Sequence, residues 1–200
     1  MNFIIQTCLF IKVYPYLCLV KTKESTDVRQ RILDTAARLF YRQGFGATGI
    51  NQLIAEANVA KASLYQHFRT KDEVLKAYLQ QTSQAWFVQV EAAAATGTTP
   101  RTRVLAVFDL LNGFLPNVEF RGCNFQNAFV QLAPEETEVH HLIQQHKTKM
   151  QQLFARLLPQ AEPALIEEIA LLFEGALISC QVQQTLAPVA AARRLLNRII

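Results

Sequence analysis

From Ser25 onward, apolar residues recur at intervals of three and four almost everywhere, and no stretch alternates convincingly at two. That spacing gathers side chains on one stripe of a 3.6-residue helix and offers no strand to pair, so it commits the chain to an all-α fold. Val28, Ile32, Ala36, Leu39 and Phe40 form the first stripe, with Ser25 or Thr26 as its cap. Gly44 then ends the helix, and Phe45 is placed to fold back in a Schellman-type stop. Thr48 is positioned to cap a short helix, Gly49 to Ala57, whose Ile50, Leu53 and Ala57 face inward. Asn58 suits a left-handed turn, and a second short helix, Lys61 to Phe68, follows. The box Thr70-x-x-Glu73 opens a longer helix running through Tyr78 toward Phe87.

The clearest break is TGTTP, Thr96 to Pro100. Beyond it the pattern predicts a helix around Val104 to Leu115, a short one after Gly122, and a longer one from about Pro134 to Leu158. Ala164 to about Leu186 and Val189 to Ile200 are the last two, separated at Pro188, which gives about nine helices in all.

The stretch ANVAKASLYQHFRTKDEV, Ala57 to Val74, carries two large apolar anchors, Leu64 and Phe68, among polar residues. With Leu64 buried, Phe68 falls one turn away on the same side, and Ala62 and Gln66 point oppositely. Two helices of about eight residues joined by a short turn form a unit that can lay its second helix in a DNA major groove. On that placement Ala62 and Ser63 let the backbone approach base edges, while Gln66 offers the paired donor and acceptor suited to adenine. Lys61, Tyr65, His67 and Lys71 would hold phosphates. A solvated helical hairpin is the alternative reading of the same spacing. Charge distribution favours the nucleic-acid reading: residues 21–80 hold ten Lys/Arg against six Asp/Glu, and residues 81–200 hold nine against ten.

The segment TGINQLIAEANVAKASLYQHFRTKDEVLKAYL, with RQRILDTAARLFYRQGF before it, resembles the amino-terminal domain of the TetR/AcrR family of bacterial transcription regulators. Thr48, Ile50, Ala57, Val59, Leu64, Tyr65, His67, Phe68, Lys71 and Val74 sit at matching or near-matching positions. Asn58 replaces the usual turn Gly, Ala60 stands where Ser is common, and Ala62 replaces a frequent Gly. The resemblance implies that Thr48, Ala60, Lys61, Ala62, Ser63, Tyr65, Gln66, His67 and Lys71 serve DNA binding. It also implies a reading head over residues 21–75 and an effector-binding and dimerisation domain over residues 76–200. The implied protein is a cytoplasmic homodimeric repressor that binds a palindromic double-stranded DNA operator and is released by a small apolar or amphipathic effector. It has no cofactor, metal, catalytic residue or membrane partner.

Residue-level transfer into the larger part is unsafe, and there the argument is physical. Its aromatic mass exceeds what a thin helical layer needs, and most of it is core. Trp86, Phe108, Leu111, Phe114, Cys123, Phe125, Phe129, His146, Met150 and Phe173 are the candidates for an effector pocket. In the last two helices Leu172, Gly175, Ala176, Ser179, Val182, Leu195 and Ile199 are candidates for a subunit interface.

The four cysteines form no C-x-x-C pair and have no His at ligand spacing, which points to a reducing compartment and no structural zinc. Cys123 is open to a packing role or to a role as thiol sensor or nucleophile, and a reactive thiolate needs an electropositive, accessible setting. His140, His141 and His146 do not stack on one helical face, as a metal site would require. Residues 1–20 form an apolar run interrupted by Lys12 and Pro15, a poor match to a membrane span or a cleaved signal. Val20 read as an alternative start codon would begin the chain just before KTKESTDVRQ; an added packing element or a membrane anchor are the other readings. A ligand-independent architectural DNA-binding factor and a thiol-based enzyme remain the competing functions. No Ser-His-Asp order, glycine-rich phosphate loop or paired carboxylate motif supports an enzyme.

Overall fold

A computed structural model describes residues 27–113, 120–133 and 137–200. The apolar head, the Ser25 and Thr26 caps and Phe114 lie outside the described residues. Within them the chain forms nine α-helices and one 3₁₀ turn, with no strand. They are α1 (Val28–Gln43), α2 (Ile50–Glu56), α3 (Lys61–His67), α4 (Lys71–Ala95) and α5 (Pro100–Asp109). The 3₁₀ turn Leu110–Gly113 precedes α6 (Asn124–Phe129), α7 (Thr137–Leu157), α8 (Pro163–Gln183) and α9 (Ala187–Ile199).

The residues divide into two compact units, one of residues up to 84 with 124–143, the other of 85–123 with 144–200. Helices α4 and α7 contribute to both. The first unit buries Ile32, Leu33, Ala36 and Phe40 of α1, Leu53 of α2, Leu64 of α3, and Val74 and Leu79 of α4. Phe40 meets Phe45 edge-on at 5.3 Å and Tyr78 at 5.8 Å, geometries that add to the area these rings bury.

In the second unit α5 begins at a break the sequence marks clearly. Thr99 accepts the Thr102 amide on its hydroxyl, Thr102 returns the bond to the Thr99 amide, and Pro100 occupies the first turn. Phe108, Phe154 and Phe173 pack on one another at 5.2–6.1 Å, and Trp86 lies 6.3 Å from Phe173. Buried Ile169, Ala176 and Cys180 of α8 and Val189, Ala192 and Leu196 of α9 complete this core.

Several helix ends differ from the sequence reading. Asp27, rather than Ser25 or Thr26, caps α1 by accepting the Arg29 amide. Gly44 ends α1 at φ 92° and ψ 159°, outside the left-handed well, with one bond from its amide to the Phe40 carbonyl. Phe45 does fold back, without the paired bonds of a Schellman stop. Those bonds close α2 instead: the Asn58 amide reaches the Ala55 carbonyl and the Val59 amide the Ile54 carbonyl, with Asn58 at φ 51°. Pro188 lies inside the first turn of α9 and does not separate it from α8, because a missing N–H costs nothing there.

Candidate nucleic-acid interface

Helices α2 and α3 are held by a turn that the backbone itself specifies. Asn58 supplies the positive φ, and the Arg31 guanidinium of α1 donates to the Asn58 carbonyl at 2.9 Å. A carbonyl left over by the turn is thereby bonded to α1, which fixes the angle at which α3 leaves. Leu64 is fully buried and Phe68 nearly so, with the Arg29 guanidinium 5.4 Å from the Phe68 ring.

The opposite side of α3 is open. Ala60, Lys61, Ala62, Tyr65, Gln66 and His67 are exposed and Ser63 is half-buried. The arrangement is a ridge of small and hydrogen-bonding side chains on a helix anchored from beneath by two apolar side chains.

Two members of the expected set are engaged inside the unit. Thr48 is fully buried; its hydroxyl donates to the Gly44 carbonyl at 2.7 Å and meets the Gln43 side-chain amide at 3.2 Å. Its hydroxyl therefore does not cap α2, whose N-cap is Gly49 with no side-chain bond, and it is not part of the outward face. Lys71 is half-buried, and its ammonium donates to the carbonyls of Phe45 and Thr48 at 3.0 and 3.1 Å and lies 4.1 Å from the centre of the Phe45 ring. Two of its three donors thus tie the start of α4 to the turn between α1 and α2. At that same end Thr70 accepts the Glu73 amide, while the Glu73 carboxylate accepts from Arg69, one residue earlier than a capping box requires. Arg31, Gln43 and the inward course of Lys71 were not legible in the sequence, since each depends on a carbonyl that only the folded turn presents.

In the second unit the expected pocket residues Trp86, Phe108, Leu111, His146, Met150 and Phe173 are all buried. Trp86 Nε1 lies 3.2 Å from Met150 Sδ, and the His146 ring meets Phe87 edge-on at 5.4 Å. Phe125 and Phe129 belong to the first unit, the former buried and the latter half-exposed beside His140. Cys123 is half-buried with its Sγ 3.6 Å from Lys147 Nζ, and Lys147 pairs with Glu174 at 2.6 Å. Burial alone would depress the Lys147 ammonium, but Cys123 and Glu174 more than offset it and hold it above its ordinary value. No group of three or more His, Cys, Asp or Glu able to hold a metal occurs among the described residues.

Along α8 the exposed apolar positions are Leu171, Ile178 and Val182, with exposed Gly175 between them, and Leu195 is exposed on α9. Ala176 faces its own core and Leu172, Ser179 and Ile199 are half-buried. Ala176 thus departs from the expected interface, because a helical repeat that buries Phe173 and Cys180 also buries Ala176 between them.

Residues 32–78, which contain α2, α3 and the turn joining them, match the family described as bacterial regulatory proteins, tetR family. A solved TetR-family transcriptional regulator from Streptomyces coelicolor is 30% identical, with 84% of this chain and 95% of that one superposed at a TM-score of 0.71. Curated relatives match over less of their length. An HTH-type regulator of Bacillus subtilis, YxaF, is 49% identical over 49 residues, 24% of this chain and 26% of that protein. The HTH-type transcriptional repressor NemR of Escherichia coli is 30% identical over 99 residues, 48% of this chain and 50% of that protein. The likeness that covers nearly a whole solved regulator at 30% identity shows that the chain belongs to the TetR family of transcriptional regulators.

Proposed function

We propose that the protein is a homodimeric repressor that reads a palindromic duplex operator with α3 and releases it when a small apolar or amphipathic molecule binds in the second unit. One observation carries the reading: Leu64 of α3 and Phe68 at its end are buried, and α3 exposes Ala62 and Gln66 on the opposite side. The Gln66 side-chain amide can donate to adenine N7 while its oxygen accepts from the exocyclic N6 amine, and Ala62 leaves room for that approach. Lys61, Tyr65 and His67 flank this ridge and would bond phosphates, fixing register without reading sequence.

The dimer is supported by the uncovered stripe Leu171, Gly175, Ile178 and Val182, whose spacings of four, three and four keep it on one side of α8. An isologous pairing of such stripes would give the two-fold protein that a palindromic operator calls for, since its half-sites lie in successive major grooves about 34 Å apart. The NemR relative is itself named a repressor. The effector reading is supported by the aromatic, apolar character of the second unit's interior, where Trp86, Phe108 and Phe154 surround Phe173 and His146 is also buried.

Selection of bound fragments from random duplex DNA tests the whole. The expected product is an inverted repeat with half-sites about one helical turn apart, bound with an affinity that falls steeply with salt. The Leu171→Glu, Val182→Glu double variant should run as a monomer and lose the repeat. Recovery of no sequence preference, or of the same repeat by a monomeric variant, contradicts the reading.

A further inference from the structure

The turn between α1 and α2 is held from a place 85 residues further along the chain. The Gly46 amide donates to Gln131 Oε1 at 3.1 Å, and the other end of the same side-chain amide donates to the Asn127 carbonyl, in α6, at 2.7 Å. The contact is close. A Cβ at Gly44 would lie 2.5 Å from Gln131 Oε1, and at φ 92° an L side chain there is strained as well. The positive φ favours glycine at this point, and the missing Cβ leaves the space that the Gln131 amide occupies.

This turn is the meeting point of the reading head. Thr48 bonds the Gly44 carbonyl, Gln43 donates to the Ala47 carbonyl and to Gln52 of α2, and Lys71 of α4 bonds the Phe45 and Thr48 carbonyls. Displacing Gly46 must therefore shift α2, and α3 follows through the Asn58 turn.

We propose that Gln131 is a positioning residue for DNA reading: by bonding Gly46 on one side and α6 on the other it sets the α1–α2 turn and, through it, the orientation of α3. The inference rests on the operator-reading function proposed above. A side-chain amide does this job because it accepts from the turn and donates to the helix through one rigid plane, so motion of Asn127 is carried to Gly46 without slack.

The test compares the full-length protein with Gln131→Leu, which keeps the bulk and removes both bonds, and Gln131→Glu, which keeps the acceptor for Gly46. Binding is measured on the operator selected from random DNA and on an alternating copolymer duplex, with hydrogen exchange followed over residues 44–49. For Gln131→Leu, operator affinity should fall about fivefold, as expected for one net hydrogen bond, while copolymer binding and its salt slope stay unchanged. Exchange at residues 44–49 should quicken in the same protein, and Gln131→Glu should recover most of both effects. A loss of operator and copolymer binding together would mean that Gln131 merely keeps the head folded, and it overturns the proposal. Wild-type operator affinity and exchange in Gln131→Leu overturn it while leaving the operator-reading function intact. A wild-type protein with no preferred duplex overturns both.

Discussion

His146 gives the sharpest quantitative handle on the second unit. It lies on α7 with 5% of its surface exposed, its ring against Phe87, and Lys147 and Lys149 close in sequence. Burial first, and then those two ammonium charges, lower its pKa from 6.5 to about 3. The folded protein therefore keeps the imidazole neutral, while the unfolded chain takes up a proton as pH falls through 6.5. Because the folded pKa is the depressed one, stability is fully present above pH 6.5 and drains away as pH falls toward 3. Between pH 7 and pH 5 the loss is about 2 kcal/mol, from 1.36 kcal/mol for each unit over which only the unfolded chain is protonated. Urea unfolding of the wild type and His146→Gln at both pH values, at one protein concentration, isolates this part, since the other titrating groups are common to both proteins. The wild type should lose about 2 kcal/mol more than the variant over that interval. Equal losses would show that His146 takes up its proton in the folded state and that the packing around Phe87 is looser than described.

Lys71→Met removes two charge-assisted bonds to the Phe45 and Thr48 carbonyls and should cost about 2 kcal/mol of stability in urea unfolding. Its operator affinity should drop with the salt slope unchanged; a slope lower by about one would instead make Lys71 a phosphate contact. Phe173→Ala empties the centre of the ring cluster with Trp86, Phe108 and Phe154 and should cost about 3–5 kcal/mol, and a loss below about 1 kcal/mol would mean the cluster is not a close-packed core.

What could be read from the sequence was what local rules decide. The apolar spacing around Leu64 and Phe68 placed the inward and outward sides of α3 correctly, because 3.6-residue periodicity is set by the backbone alone. The break at Thr96 to Pro100 was legible, but the helix expected from about Val104 begins at Pro100, because Thr99 caps it and a proline fits its first turn. Asn58 was legible as a left-handed residue, but the Schellman bonds it closes were assigned to Gly44, whose ψ the sequence does not reveal. Lys71 was misplaced outward because its charge and position suit a phosphate, and only folding brings two carbonyls within 3.1 Å of it. Ala176 differed by register: small residues suit either a core or a subunit contact, and burial of Phe173 and Cys180 decides between them. Gln131 carried no local signal, because its partner lies 85 positions away and the bond is to a main-chain amide.

Base preference at the outward side of α3 bears most directly on how the protein acts. Wild type and Gln66→Ala should be titrated against the selected operator and every single-base substitution of it. The wild type is expected to discriminate at one A·T pair in each half-site by about 1–3 kcal/mol, and the variant to lose discrimination there alone, with its remaining preferences and its salt slope intact. An identical base profile for the two proteins would contradict the assignment of α3 as the reading helix.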